Sequence, residues 1–290
     1  MINDTGSDTV CTIGSSVIQH GKLNDRIYLM KLSPDDIPAI VTEMIDGTAE
    51  KYGYSKCFAK VPEDAKNEFT RKGYRTEAVI PGFFGGRTDG YFLSKYYDPE
   101  REIIETECKE EIDRIVGDTN RDTNPTGKSG RVNPAESGLR IGIAGEEDAS
   151  ALSELYDLVF ESYPFPIHEP DYIRQTMNEN ILYFGIWSGE KLLAASSCET
   201  DISGLNAEMT DFAVSPECRG KGFAGLLLDA MESEMKKEGY ITSYTIARAA
   251  FEPVNRLFAG SGYEYCGTLK NNTNICASFE SMNVWYKKIN

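Results

Sequence analysis

The residues best suited to chemistry lie in one stretch, Thr210 to Ala230 (TDFAVSPECRGKGFAGLLLDA). At its centre, Arg219-Gly220-Lys221-Gly222-Phe223-Ala224 joins a strand to a helix. Two glycines let the backbone come close to a ligand, successive N–H groups at a helix start point outward, and two cations stand beside them. Together these are the parts of an anion cradle. The strand is read from the β-branched and aromatic run Asp211 to Val214, closed by Ser215-Pro216. The helix is read from Phe223, Leu226, Leu227, Ala230, Met231 and Met235 at i, i+3, i+4 spacing, with Gly239 as its stop. A turn that uses glycine for geometry alone is the alternative reading. The patterns G-x-x-x-x-G-K-[ST] and G-x-G-x-x-G are absent, which disfavours nucleotide triphosphates and dinucleotides.

The string Arg219-x-x-Gly222-x-Ala224, preceded by a strand and opening a helix, resembles the pyrophosphate loop of the GCN5-related N-acetyltransferase (GNAT) superfamily. The likeness covers most of residues 139 to 290. It implies an α/β (α+β) chain with a GNAT acetyltransferase fold in its C-terminal domain and acetyl-CoA as cosubstrate. It also implies that Arg219, Gly220, Lys221, Gly222, Phe223 and Ala224 receive the pyrophosphate, and that a backbone N–H near Ala213 or Val214 meets the oxyanion. Asn255 is placed against the CoA arm, with a solvent-facing polar residue as the commoner alternative.

The reaction implied is acetyl transfer from a thioester to an amine. An alkyl ammonium, of pKa about 10.4, is not nucleophilic until a proton leaves, so a carboxylate must accept or relay it. Glu208 lies six residues before Val214, where some family members carry a glutamate base; a plain solvent-facing glutamate is the alternative. Asp211 is three residues further on, and that odd spacing turns it to the opposite strand face unless a bulge intervenes, as it does in the family. Where the family often has a tyrosine to protonate the departing thiolate, this chain has Phe258. Tyr263, Tyr244 and Ser261 are stand-ins, and a thiol of pKa about 8.5 also leaves as thiolate.

Acceptor contacts are sought in two places. Tyr163-Pro164-Phe165-Pro166-Ile167-His168 is an aromatic, Pro-stiffened loop between the first two helices of the domain, which in the family borders the acceptor; Phe165 and His168 are its candidates, with packing under the domain as the equal alternative. Asn271, Asn272, Thr273 and Asn274 form a polar tip between two strands, read as a turn because Asn tolerates positive φ. That tip, the run ECRGKGFAGLLL and the two-domain layout resemble a narrower group, the β-lysine N-acetyltransferases. The resemblance implies β-lysine as acceptor, Nε-acetyl-β-lysine as product and a role in osmoadaptation. Lysine, a polyamine or an aminoglycoside as acceptor, or a non-catalytic acetyl-CoA-binding regulator, are the alternatives.

The whole chain must position these groups. Its 290 residues suggest about two domains. Residues 1–24 are polar and read as a flexible N-terminus; 25–116 follow as strand, helix, strand, helix, strand, strand; 117–138 (GDTNRDTNPTGKSGRVNPAESG) read as a linker; and 139–290 hold the catalytic domain. Phe69-x-x-x-Gly73-Tyr74 matches Phe258-x-x-x-Gly262-Tyr263, so the first domain resembles a smaller, degenerate GNAT-like half domain. In place of the anion loop it has Ser33-Pro34-Asp35-Asp36-Ile37-Pro38, with two carboxylates and no glycine. Three roles stay open for it: shaping the substrate entrance, homodimerising, or completing a sheet.

A net charge of −16 argues against nucleic acid and anionic membranes as partners and is compatible with a small cationic substrate. MINDTGSDTV has no basic, apolar leader pattern, and no run approaches about 18 apolar residues, so a cytoplasmic protein is expected. Seven cysteines without a C-x-x-C pair, and only His20 and His168, disfavour a disulfide framework and a metal cluster.

Overall fold

The computed structural model describes residues 8–121, 138–161 and 163–290. Thirteen strands form one sheet: β1 (Thr9–Ile13), β2 (Ser16–Gly21), β3 (Arg26–Lys31), β4 (Lys56–Pro62), β5 (Arg75–Phe84), β6 (Thr88–Tyr96), β7 (Leu139–Ile143), β8 (Ile181–Ser188), β9 (Lys191–Asp201), β10 (Asn206–Val214), β11 (Thr242–Arg248), β12 (Glu264–Ile275) and β13 (Ser278–Lys288). The α-helices among the described residues are α1 (Pro38–Tyr52), α2 (Glu63–Arg71), α3 (Thr106–Arg121), α4 (Ala149–Val159), α5 (Pro170–Met177), α6 (Phe223–Lys237) and α7 (Glu252–Gly260).

The sheet order is β1-β2-β3-β4-β6-β5-β12-β13-β11-β10-β9-β8-β7. Two blocks, β3-β4-β6-β5 and β10-β11-β13-β12, therefore run in opposite order and meet at β5 and β12. In each block a helix crosses between two parallel strands, a second helix follows, and an antiparallel hairpin closes the block. The ladder between the blocks is a single pair, Gly267 with Ala78. Beyond it both strands bulge, β5 between Ile80 and Phe84 and β12 between Leu269 and Thr273. Each bulge satisfies its backbone on the opposite block. Asn206 Nδ2 donates to the Phe83 carbonyl at 3.3 Å, and Gly85 N–H donates to the Gly204 carbonyl at 2.7 Å. In return Lys56 Nζ donates to the Lys270 carbonyl at 2.6 Å, Arg101 Nε to that of Asn271 at 2.8 Å, and Arg26 to that of Asn272.

A shared core backs this thin ladder. Tyr28, Phe58, Phe83 and Phe92 of the first block pack with Tyr244, Leu269, Met282 and Val284 of the second. Tyr28 stacks on Phe58 at 4.7 Å between ring centroids. At roughly 1.5–3 kcal/mol for each large apolar side chain removed from water, this core outweighs one ladder pair. The helices α6 and α7 cover the other face of the second block through Phe223, Leu227, Leu228, Met231, Met235 and Phe258.

Three sequence expectations need correcting. Residues 9–21 are not a flexible tail: they form an antiparallel strand pair on the edge of β3, held by buried Ile13 and Ile18 and by Asp36, which accepts from the Ser16 hydroxyl at 2.6 Å. Residues 117–121 continue α3 instead of opening a linker; the rest of that expected linker, 122–137, lies outside the described residues. The turn between the last two strands is Cys276-Ala277, both with positive φ, while Asn271 to Asn274 lie within β12. Among the described residues no helix is long and apolar enough to cross a membrane.

Candidate active site

Strands β10 and β11 start in parallel register and then part. Asn206 pairs with Thr242, Ala207 with Ser243 and Glu208 with Tyr244; beyond that pair both strands continue, to Val214 and Arg248, with no ladder between them. The result is a wedge whose vertex is Glu208–Tyr244. On its other side β10 pairs with β9, and Ser215 N–H donates to the Leu193 carbonyl at 2.9 Å. Alternation along the strand then turns the N–H of Val214 away from β9, into the wedge.

Between Thr210 and Ala213 the β9–β10 register shifts by one residue, and Asp211 takes the left-handed conformation at φ +56°. This bulge brings Asp211 to the acceptor face despite its odd spacing from Glu208. Its carboxylate accepts from the hydroxyls of Tyr163 and Ser197. Glu199 stands directly opposite Glu208 in the ladder. Three carboxylates, Glu199, Glu208 and Asp211, thus gather at the vertex, ringed by Tyr163, Tyr244, Tyr28 and Lys60.

Burial and mutual repulsion set their chemistry. Burial, then the nearby Glu208 and Asp211 charges, push the Glu199 carboxyl up to about 8 against the pull of Lys60. Burial raises Glu208 as well, opposed by Lys60 and by a hydrogen bond from Tyr244. Burial raises Asp211 against the three hydroxyls, of Ser197, Tyr163 and Thr210, that hold it. A carboxylate raised toward neutral pH is matched to taking a proton from an amine, and a crowd of them attracts a cation.

The expected anion loop stands at the mouth of the wedge. Arg219, Gly220 and Lys221 are exposed, and Gly222 caps α6 at φ +79° with no side chain to occupy the free N–H groups of the first helical turn. Gly220, at φ +77°, also needs glycine. Phe223 is buried beneath the loop and Ala224 is half-buried in the first turn. Ala213 is buried one step before Val214. A pyrophosphate fits these donors and cations.

Other expected site residues lie elsewhere. The Tyr263 hydroxyl is hydrogen-bonded to Ser243 in the core beneath α6 and α7, on the sheet face opposite Tyr244 and Glu208; it is not a general acid at this vertex. Phe258 is fully buried, edge-on to both Phe212 and Tyr263. Asn255 does not face a CoA arm. Its Nδ2 donates to the carbonyls of Arg248 and Phe251, each at 2.9 Å, and its Oδ1 accepts from Asn283 and from Trp285 Nε1, each at 2.9 Å. Asn255→Ala should lower the urea unfolding free energy by about 2–3 kcal/mol, since several buried groups lose their partner at once. An unchanged midpoint would return Asn255 to the cofactor.

Asn271 and Asn272 hold the two blocks together instead of lining the acceptor site: Asn271 Nδ2 donates to the carbonyls of Arg101 at 3.0 Å and Ile103 at 2.7 Å. Phe165 packs half-buried against the α4–α5 core, and His168 is exposed. Their loop reaches the vertex through Tyr163. Sequence reasoning missed Glu199 and Lys60. Counting outward from the hairpin loop 202–205 would have found Glu199 opposite Glu208, but nothing local marks Lys60.

Residues 152–263 match the model of the Acetyltransferase (GNAT) family. The chain is 41% identical over 283 residues to the β-lysine N(6)-acetyltransferase of Methanococcus maripaludis, covering 97% of this chain and 98% of that one. It is 34% identical to the β-lysine N(6)-acetyltransferase of Methanosarcina mazei, over 83% of this chain and 93% of the relative. It is 31% identical to the N-acetyltransferase YodP of Bacillus subtilis, over 95% and 96%.

Proposed function

The chain belongs to the GNAT N-acetyltransferases, in the family of these β-lysine N(6)-acetyltransferase relatives, and we propose on that premise that it moves the acetyl group of acetyl-CoA to the side-chain amine of β-lysine. The observation that carries this reading is the wedge, with the Arg219–Ala224 loop at its mouth and Glu208 at its vertex. The loop receives the pyrophosphate, and the splayed strands receive the arm that carries the thioester. Asp211, with the carboxyl of Glu199 beside it, draws in the cationic acceptor, and Glu208 takes a proton from its ammonium. The freed nitrogen attacks the thioester carbonyl, whose oxygen accepts from Val214 N–H as negative charge develops. With Phe258 lacking a proton to give, the C–S bond breaks to release a thiolate, which a thiol pKa of about 8.5 permits, and the second proton shed by the attacking nitrogen passes to that thiolate or to solvent.

We also read residues 25–116 as a partial repeat of the acetyltransferase fold without a cofactor loop. Mirrored strand order and matching bulges support this reading.

The test is release of CoA thiol from acetyl-CoA with β-lysine, α-lysine, spermidine and an aminoglycoside. Turnover at least about tenfold faster with β-lysine is expected, since a site built around a polar group discriminates strongly against acceptors that lack it. Preference for another amine would overturn the acceptor, and tight acetyl-CoA binding without release would overturn the enzyme.

A further inference from the structure

We propose that Lys60, contributed by the first block, pairs with the carboxylate of the acceptor and so makes the site select a diamino acid over a plain diamine; this rests on the β-lysine reading above. Along β4 the side chains alternate. Cys57, Ala59 and Val61 enter the first block's own core, whereas Phe58 and Lys60 face the second block. Lys60 Nζ donates to Tyr244 Oη at 3.0 Å and lies 5.4 and 5.5 Å from the ring centroids of Tyr28 and Tyr244. The direct partners described for this ammonium are one phenol hydroxyl and two ring faces, not a carboxylate. The Tyr244 hydroxyl takes one of its three donors and leaves two.

Around the vertex stand three carboxyl groups, Glu199, Glu208 and Asp211, and one ammonium, Lys60. β-Lysine brings charges of the opposite kinds, two ammonium groups and one carboxylate. Its carboxylate satisfies Lys60, while its ammonium groups satisfy the acids. A diamine without a carboxylate leaves Lys60 unmatched and adds repulsion, which is the form in which a site rejects the wrong ligand. The first block thereby acts as a positioning element of the active site, one that an isolated second block would lack.

The experiment compares kcat/KM for β-lysine and for its decarboxylated counterpart, 1,4-diaminopentane, in the full-length enzyme and in Lys60→Met. Loss of a desolvated charge partner predicts a fall of roughly 100-fold on β-lysine. On the diamine, the removal of a like charge predicts a rise. Lys60→Arg should keep the preference for β-lysine, and Lys60→Gln, which can still bond Tyr244, should lose it even where the Met variant fails to fold. Acetyl-CoA affinity, read by calorimetry, should stay within about twofold in each folded variant. Equal loss on both substrates in Lys60→Met and Lys60→Gln would overturn the proposal, because it would mean that Lys60 acts through Glu208 or through packing. If the unaltered enzyme prefers the diamine, the β-lysine reading itself fails, and this is seen before any variant is made.

Discussion

Glu208→Gln should reduce kcat on β-lysine by about 10²–10⁴-fold while leaving the acetyl-CoA dissociation constant unchanged, the usual worth of a positioned general base. The amide keeps the shape of the side chain and its place opposite Tyr244, but it cannot take the ammonium proton. The pH profile gives the second half of the expectation. Burial raises the Glu208 carboxyl, and its neighbour Glu199 is pushed up to about 8, so the acidic limb of kcat/KM should lie above the ordinary carboxylate range. The sign follows from the role: the base works only when deprotonated, so activity rises with pH through that raised value. In Glu208→Gln the residual rate should lose this limb. A variant that keeps wild-type kcat would assign the proton transfer elsewhere, and Glu199 is the adjacent carboxylate to examine.

What the sequence revealed and what it withheld divide along a physical line. The strand, loop and helix from Thr210 to Ala230 are legible because each signal is local: a β-branched run, two glycines that require positive φ, and an apolar period of a helix. Most other elements of both blocks are legible for the same reason, as hydrophobic periodicity marks them within a few residues of their observed ends. Residues whose role depends on which sheet face they occupy are harder. Tyr263 and Tyr244 are equally good tyrosines in a string of letters, yet one lies under the helices and the other at the vertex. Asn255 illustrates a related limit, since a polar residue at a helix start reads as exposed until its partners are assembled around it. Asn271 and Asn272 look like a turn because Asn favours turns, but three cations from the first block draw their stretch into a bulge. The N-terminal strands were hidden by polar composition, because only a few of their residues are buried. Lys60 lay furthest from reach, since its meaning exists only once a strand of one block is laid across the vertex of the other.

That dependence makes the junction between the blocks a sensitive structural point. Gly267 holds the one ladder pair between them at φ +143°, and a Cβ there would lie 2.0 Å from the Glu77 carbonyl oxygen and 2.9 Å from Ala78 Cα. These are backbone atoms, so no side-chain rotation relieves the clash. Gly267→Val should therefore destabilise the protein by about 3–5 kcal/mol, combining backbone strain with overpacking. The shared core of Tyr28, Phe58, Phe83 and Tyr244 opposes separation, so some folded protein should persist at low temperature. In that fraction the anion loop is untouched, because Arg219 to Ala224 lie at the far end of β10, whereas the first block's wall around Glu208 is displaced. The expected pattern is a lower thermal midpoint, near-normal acetyl-CoA affinity and a KM for β-lysine raised at least about tenfold, the cost of a misplaced positioning group. Calorimetric melting and acetyl-CoA titration, followed by initial rates on the same sample, would separate the three quantities. A raised KM for acetyl-CoA with an unchanged KM for the amine would mean that the first block serves the cofactor, and it would remove the reason for placing Lys60 at the acceptor.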